Sequence, residues 1–263
     1  MTSPHFFCGV DVGASATKLV LIDEDRKPLA RVAAPSGVDY EATARNCLER
    51  AMAAAGLEEN PSRTVSTGYG RHNVDFADDA LTEIHCHGLG CYHFLPHALS
   101  IIDIGGQDNK VIRLDDSGGR INFKMNRKCA AGTGAFIEEI ALRLDVPVGD
   151  MDLLARQAKE AVTLSSFCTV FAKTEILAHL RKGVPVGGIV RGAFRSVVDR
   201  VVEMDTLDGE VALTGGVVAY NPAVAEILAE KIGRDVSVPP HPQFTGAMGA
   251  ALTALKQSYA GWS

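Results

Sequence analysis

The sequence predicts an α/β protein with two duplicated lobes, each built on a mixed sheet that helices cover. Two observations carry this prediction. A short apolar strand that ends in Asp-x-Gly and leads into a second apolar strand occurs twice, at residues 6–22 and 101–112. Along the rest of the chain, apolar strands alternate with segments whose apolar residues recur at helical spacing.

The two hairpins are related by a constant spacing. Four residues recur with the same offset of 92 positions (103 − 11 and 115 − 23). The pairs are Asp11 with Asp103, Gly13 with Gly105, Lys18 with Lys110, and Asp23 with Asp115. A lone Asp-x-Gly is a common turn, but a duplicated hairpin indicates a duplicated fold with two facing lobes.

The first hairpin turn has the composition of a phosphate-binding turn. Residues 14–18 are small or hydroxyl-bearing apart from Lys18, and they include Ser15 and Thr17. Such a turn lets backbone N–H groups approach a phosphate, while Asp11 can hold a hydrated Mg²⁺. A third glycine turn, Gly215-Gly216, follows an apolar strand near the C-terminus.

Helices are expected between these strands. Apolar stripes predict helices over residues 41–57, with an end at Gly56, and over residues 189–202. Asn221-Pro222 reads as an N-cap followed by proline at the first helical position, and that helix should stop at Gly233. A final helix should begin near Gly246, where its glycines permit close backbone packing.

Two cysteines have a distinctive context. Cys129 directly precedes a glycine-rich turn and an expected amphipathic helix with Phe136, Ile137, Ile140, Ala141 and Leu144 on one face. Cys168 precedes a second expected helix that stops at Gly183. A thiol at a helix start lies near unpaired N–H groups and the positive end of the dipole, which favours the metal-binding thiolate.

Composition narrows the class. The 263 residues carry a net charge of −6 and no long basic tract, which argues against binding to a nucleic-acid backbone. No apolar run reaches the length of a membrane span and no secretory pattern opens the chain, so we expect a cytoplasmic protein without membrane contact. We therefore expect the six cysteines, which have scattered spacings, to be free thiols and not a disulfide framework.

Two Asp-x-Gly hairpins and a Gly-Gly turn together resemble the acetate and sugar kinase, Hsp70 and actin superfamily. Four stretches narrow the resemblance to BadF/BadG/BcrA/BcrD-type ATPases, which comprise activators of 2-hydroxyacyl-CoA dehydratases and ATP-binding subunits of benzoyl-CoA reductase. These stretches are residues 103–108 (DIGGQD), 128–134 (KCAAGTG), 166–172 (SFCTVFA) and 213–217 (LTGGV). The likeness runs from Gly9 to Leu252.

The resemblance implies an actin-like, ribonuclease H-like fold with ATP in the cleft between the lobes. Its lobes would be residues 1–95 and 96–245, the second carrying the cluster cysteines, with residues 246–263 as a C-terminal helix packing back between them. Asp11, Asp103 and Gln107 would be catalytic and would surround Mg²⁺ and the phosphates, with Gln107 orienting the attacking water. The implied nucleotide-binding residues are Gly13, Ser15, Thr17, Lys18, Gly105, Gly106, Gly215 and Gly216.

The resemblance also implies a [4Fe–4S] cluster shared by two subunits, each supplying Cys129 and Cys168. ATP hydrolysis would drive one electron at low potential, from reduced ferredoxin or flavodoxin, to a dehydratase or benzoyl-CoA reductase component in anaerobic metabolism. The dimer is either a homodimer or a heterodimer with a paralogous ATPase subunit. Two cysteines from each of two subunits give the four thiolates that such a cluster usually takes.

Alternatives remain open at this point. A small-molecule kinase on the same fold would need an aspartate base near the second turn, and Asp108 is a candidate. A third class is an ATP sensor without turnover. The tract of residues 85–93, HCHGLGCYH, suggests zinc, yet its spacing fits no standard zinc pattern. Arg127 and Lys128 are either a solvated pair or a docking point for an acidic partner.

Overall fold

The computed structural model describes residues 5–164 and 168–260, whose contacts group into two units. The first unit contains Met1–His97, Leu114–Arg120 and Gln243–Ser263, and the second contains Ala98–Arg113 and Ile121–Pro242. The domain boundaries expected at residues 95 and 245 stay a prediction. Among the described residues, no helix combines the length and the apolar character that crossing a membrane requires.

The first unit is built on a mixed five-stranded sheet in the order β3-β2-β1-β4-β5. Its strands are β1 (Phe6–Val12), β2 (Ala16–Asp23), β3 (Pro28–Pro35), β4 (Arg63–Thr67) and β5 (Asp79–Ala80). β1 is antiparallel to β2 and parallel to β4. Every residue of β1 is buried, as expected for the central strand of a sheet covered on both faces.

The helices of the first unit are α1 (Tyr40–Ala55), α2 (Glu83–Phe94) and α9 (Thr245–Ala260), of which α1 packs on β2 and β3. The side chain of Asp39 caps α1, and Gly56 ends it as predicted. α9 packs on α2 and across β1 and β4. A Cβ added at Gly249 would overlap the carbonyl oxygen of Cys86 on α2, so the expected close backbone packing of the last helix is confirmed.

The second unit repeats the plan of the first. Its five-stranded sheet has the order β10-β9-β6-β7-β8. The strands are β6 (Leu99–Ile104), β7 (Asn109–Leu114), β8 (Arg120–Asn126), β9 (Glu210–Thr214) and β10 (Val236–Ser237). Read from β8, the sequence order is third, second, first, fourth and fifth strand, the same as in the first sheet. The predicted duplication and the α/β class with mixed sheets are therefore confirmed.

The described residues of the second unit form six α-helices, whose apolar faces contribute to its core. They are α3 (Gly134–Leu144), α4 (Met151–Gln157), α5 (Thr169–Arg181), α6 (Val186–Val202), α7 (Gly216–Tyr220) and α8 (Ala223–Ile232). On α3 the four buried residues are Phe136, Ile137, Ile140 and Ala141, the predicted face, and Leu144 packs against the same core. α5 ends just before Gly183, as expected.

Two predicted helix starts are displaced. α6 begins at Val186, three residues before the expected start, because Gly187 and Gly188 hid the helical turn that precedes Ile189. α8 begins at Ala223 with Pro222 as its N-cap, whereas Asn221 is the N-cap expected from the sequence. Asn221 is instead buried and donates its side-chain amide to the carbonyl of Val217, so it closes the preceding short helix.

Candidate functional site

The turn of the first hairpin brings Asp11 and Lys18 together. They are register partners on β1 and β2, with 3.7 Å between Lys18 Nζ and Asp11 Oδ2. The Gly13 amide closes the turn on the Ala16 carbonyl at 3.1 Å. Lys18 keeps 17% of its side chain exposed, so its ammonium can meet an anion that approaches the turn.

The hydroxyl residues of this turn have different environments. Thr17 is buried, and its hydroxyl lies 2.9 Å from the hydroxyl of Ser36, which donates onward to the Gly13 carbonyl. Ser15 is exposed at the tip of the turn. Thr17 therefore braces the turn from behind, and Ser15 is the hydroxyl that faces solvent.

Asp11 lies in a recess shaped by a glycine that sequence reasoning missed. Gly68 follows β4 with φ of 89°, and a Cβ there would lie 2.5 Å from Asp11 Oδ1. Only glycine leaves room for the carboxylate in this backbone conformation. The carboxylate is 4% exposed, and its hard oxygen atoms suit a hydrated Mg²⁺ ion, which fits the donor set that the sequence suggested.

The second hairpin holds its lysine more firmly. Lys110 Nζ lies 3.2 Å from Asp103 Oδ2 and 3.0 Å from Asp108 Oδ1. The Thr214 hydroxyl lies 3.0 Å from Asp103 Oδ1. Asp103 and Lys110 are both buried, whereas Gln107 is exposed at the tip of the turn. Gln107 is therefore the most exposed polar side chain of this turn and can be reached by a ligand from solvent.

The third glycine turn lies at the same sheet edge as the second hairpin. Asp103 and Thr214 are register partners on the parallel strands β6 and β9. Gly215 has φ of 101°, its amide donates to the Pro242 carbonyl, and a Cβ there would overlap the backbone of Ile104. Among the described residues outside the adjoining backbone, none has an atom within 4 Å of a Cβ added at Gly216, so this residue offers bare backbone to a ligand.

The turn of the second hairpin is hydrogen-bonded to the start of α3. The amide of Gly134 donates to the Gly105 carbonyl at 2.9 Å, and the amide of Ala135 donates to the Gly106 carbonyl at 2.7 Å. Two of the N–H groups that a helix leaves unpaired in its first turn are satisfied in this way. Movement of the glycine turn and movement of α3 are therefore directly connected.

The loop before α3 carries Cys129 and is anchored by two asparagines. Asn126 donates to the Cys129 carbonyl at 3.1 Å, and Asn109 of β7 donates to the Gly132 carbonyl at 2.9 Å. The N-cap of α3 is Thr133. The predicted order, a cysteine followed by a glycine turn and then a helix, is confirmed, and Cys129 lies four residues before the cap. The turn of residues 130–132, which contains Gly132, separates the cysteine from the first helical turn.

Cys168 lies where the sequence predicted, as the N-cap of α5. Residues 165–167 of its motif lie outside the described residues. Cys129 and Cys168 are exposed, whereas Cys8, Cys47, Cys86 and Cys91 are buried. Burial raises the pKa of the Cys8 and Cys47 thiols, and it raises that of Cys86 to about 12.

Helices α3 and α5 are held together by an ion pair. Lys173 Nζ lies 2.8 Å from Glu139 Oε1, and Arg143 Nε lies 2.9 Å from the same oxygen. These two hydrogen bonds, with that of Lys173 the stronger, hold the pKa of Glu139 below its usual value. The segments that carry the two exposed cysteines therefore lead into neighbouring, connected helices.

Across residues 5–164 and 168–260, no three side chains of histidine, cysteine, aspartate or glutamate are grouped so that they could hold a metal ion. Two exposed thiols per chain fit half of the four-thiolate set of a [4Fe–4S] cluster, and a second chain would have to supply the other half. The tract of residues 85–93 forms most of α2, with Cys86, His87 and Cys91 buried and His85 exposed.

Comparison with known proteins gives consistent matches over nearly the whole chain. The profile of the BadF/BadG/BcrA/BcrD ATPase family matches residues 8–254. The activator of lactoyl-CoA dehydratase from Anaerotignum propionicum is 43% identical over 252 residues, which cover 94% of this chain and 96% of that protein.

Solved structures agree with these matches. The activator of the 2-hydroxyisocaproyl-CoA dehydratase from Clostridium difficile, solved with bound ADPNP, superposes with a TM-score of 0.91 at 35% identity, covering 98% of this chain and 97% of that one. A ROK family glucokinase from Streptomyces griseus superposes with a TM-score of 0.57 at 14% identity, covering 95% of this chain and 99% of that one. At that identity the likeness shows the fold alone.

Proposed function

The chain belongs to the BadF/BadG/BcrA/BcrD ATPase family and is an ATPase, and from this premise we propose that its ATP hydrolysis drives low-potential electron transfer to an enzyme that acts on a CoA ester. The family and the ATPase class predicted from the sequence are confirmed. The proposed recipient is a 2-hydroxyacyl-CoA dehydratase, as the names of the relatives suggest, with a benzoyl-CoA reductase component as the second possibility.

The observation that carries the proposal is the pair of hydrogen bonds from α3 to the second hairpin. Through Gly134 and Ala135, α3 is bonded to the carbonyls of Gly105 and Gly106. The loop with Cys129 enters the same helix. A change in the turn when the terminal phosphate of ATP is lost is thereby transmitted to the segment that carries this thiol.

We propose a nucleotide role for each turn, which its geometry supports. We assign Asp11 and Asp103 to the surroundings of Mg²⁺, and Lys18 to a phosphate. Gln107, exposed at its turn, orients the attacking water. The backbone of the glycine turns contacts the nucleotide, with Gly13, Ser15, Thr17, Gly105 and Gly106 at the phosphates and Gly215 and Gly216 at the adenosine.

Cys129 and Cys168 of each of two subunits would hold a [4Fe–4S] cluster, which supplies one-electron transfer when bound. Their exposure fits ligands that are completed by another chain. Exposed apolar side chains on the two connected helices, Leu142, Val170, Phe171 and Leu177, suit a contact with that chain. A homodimer is the simplest form, and a heterodimer with a paralogous subunit uses the same residues.

The surroundings of Cys129 also suit an acidic partner. Arg127 and Lys128 are exposed directly before it. Cations at the edge of an interface attract a partner of opposite charge and raise the rate of association. Reduced ferredoxin or flavodoxin is the proposed electron donor.

The test begins with protein purified without oxygen. We expect visible absorbance, about four irons per dimer and Mg²⁺-dependent ATP hydrolysis. Cys129→Ser and Cys168→Ser should each lose iron and weaken the dimer while ATP binding persists. Cys47→Ala is the matched control, because it removes a buried cysteine of α1 and should leave the iron content unchanged.

Hydrolysis is tested separately with Gln107→Ala. A residue that orients water should lower kcat by more than it weakens ADP binding. Equal losses of kcat and ADP affinity in Gln107→Ala would show that the side chain has only a binding or packing role.

The cluster is tested by the iron content of the two serine variants. Retention of about four irons per dimer in both Cys129→Ser and Cys168→Ser would exclude these cysteines as ligands of the cluster.

A further inference from the structure

A buried histidine and the carboxylate of Asp11 lie close to the same glycine. His87 is on α2, and Gly246 is the second residue of α9. A Cβ added at Gly246 would lie 3.0 Å from Asp11 Oδ2 and 3.1 Å from His87 Nε2. The imidazole and the carboxylate therefore face the same bare Cα atom, and β1, α2 and α9 converge at this point of the first unit.

The other edge of the imidazole is fixed by a hydroxyl. His87 Nδ1 lies 3.1 Å from Thr245 Oγ1, and both side chains are buried. Because this contact sets the plane of the ring, Nε2 is directed towards the side on which Asp11 lies. The two residues are 158 positions apart in the sequence, so the contact exists only in the folded chain.

Packing alone does not account for this pair. The backbones of α2 and α9 are in direct contact at Gly90 and Gly249. Apolar side chains at the neighbouring positions would be sufficient for this packing. Burying an imidazole and a hydroxyl costs free energy of desolvation that their hydrogen bond only offsets. Such a polar pair next to a carboxylate is typical of the outer residues that orient metal ligands.

We propose that His87, held by Thr245, is a positioning residue that keeps the Asp11 carboxylate in the orientation that receives hydrated Mg²⁺. The proposal rests on the proposed function, in which Asp11 belongs to the magnesium site. Gly68 confines Oδ1 from one side, and His87 lies on the side of Oδ2, near which Lys18 Nζ is also found at 3.7 Å. The carboxylate is thus restrained at both oxygens.

Two substitutions of His87 test the roles of its two ring nitrogens, Nδ1 and Nε2, separately. In His87→Asn the amide reaches only the place of Nδ1, so the contact with Thr245 is kept and the side facing Asp11 is left empty. In His87→Gln the amide reaches the place of Nε2 and restores a polar group there. His85→Asn is the control, because His85 is on the same helix and is exposed.

The measurement is Mn²⁺ binding by electron paramagnetic resonance in the presence of ADP, together with the Mg²⁺ concentration that half-saturates ATP hydrolysis. His87→Asn should weaken metal binding about 10- to 100-fold, the usual effect of losing an outer residue of a metal site. His87→Gln should stay within about threefold of the wild type on the same grounds. The affinity for ADP without metal should not change in either variant. Thr245→Val should weaken Mn²⁺ binding, as His87→Asn does.

The proposal is overturned if metal binding in His87→Asn equals that of the wild type. It is also overturned if His87→Gln and His87→Asn lose metal affinity equally, whether or not the melting temperature falls, because that pattern belongs to a structural role. A wild-type protein that binds no Mn²⁺ with ADP would instead refute the proposed nucleotide site, so the two failures are distinguishable.

Discussion

The contact between α2 and α9 allows a sharp test within a single helix. A Cβ added at Gly90 would overlap the carbonyl oxygen of Thr245 and would lie 2.9 Å from the amide nitrogen of Gly249. A Cβ added at Gly88 would lie 3.4 Å from a methyl group of Leu114, which is an ordinary contact. We therefore expect Gly90→Ala to destabilise the protein and Gly88→Ala to leave it unchanged or more stable.

The magnitude follows from two opposing terms. Alanine is better than glycine inside a helix by about 1 kcal/mol, which favours both variants. At Gly90 the overlap is with backbone, which cannot rotate away, so overpacking should cost about 3 kcal/mol, the upper end of the usual range. The net change in the free energy of unfolding is then a loss of about 2 kcal/mol for Gly90→Ala and a gain of up to about 1 kcal/mol for Gly88→Ala.

Thermal unfolding followed by circular dichroism measures the difference. For a chain of this length, 1 kcal/mol shifts Tm by about 2–4 °C, so Gly90→Ala should melt about 4–8 °C below the wild type. It should also weaken Mn²⁺·ADP binding, because the displaced backbone is that of Thr245, which anchors His87. A Tm for Gly90→Ala equal to or above that of Gly88→Ala would refute the reasoning.

Two further predictions concern burial. Phe194 is fully buried on α6, so Phe194→Ala should lower the free energy of unfolding by about 3–5 kcal/mol in urea titrations. Phe171 on α5 is 67% exposed, and Phe171→Ala should change the monomer by at most about 0.5 kcal/mol; equal effects would contradict the packing described here. In cluster-free protein at pH 8, iodoacetamide should modify Cys129 within minutes and spare Cys86 until unfolding, because Cys86 is buried with its pKa raised to about 12. Peptide mass spectrometry checks this, and similar rates at the two thiols would count against it.

The elements that could be predicted from the sequence are those whose signals are local. Each hairpin combines apolar strands with an Asp-x-Gly turn. The constant offset between the two copies predicts a duplicated fold, and the two sheets have the same strand order. The face of α3 and the ends of α1 and α8 at Gly56 and Gly233 follow from helical spacing and from glycine at the C-cap.

Other elements gave no local signal. β8 lies at the edge of its sheet and carries five exposed residues, so it lacks the alternation of a half-buried strand. The tract of residues 85–93 suggests zinc by composition although its spacing fits no standard zinc pattern, and packing on α9 buries one side of the helix that it forms. The partners of Asp11 at Gly68, His87 and Gly246 come from three distant segments, which a single sequence without tertiary contacts cannot bring together.

The loop with Cys129 is held at a measurable cost. Asn109 is buried and donates to the Gly132 carbonyl, yet its Oδ1 atom has no hydrogen-bond partner among the residues that the structure describes. An unpaired buried acceptor costs about 1–3 kcal/mol. The bond from Asn109 to the Gly132 carbonyl therefore fixes the loop relative to β7.

The two hairpins also show how a duplicated motif diverges in its electrostatics. Both place a lysine opposite the aspartate of the preceding strand, but Asp108 of the second hairpin corresponds, at the same offset, to Ala16 of the first. Lys110 consequently lies between two carboxylates and is 3% exposed, whereas Lys18 has a single carboxylate 3.7 Å away and is 17% exposed. Two carboxylates compensate the charge of the Lys110 ammonium, so this lysine stabilises its turn and attracts a ligand only weakly. The ammonium of Lys18 is paired more loosely and can be attracted to a phosphate. The single exchange of alanine for aspartate thus makes the second lysine a structural group and leaves the first available to the nucleotide.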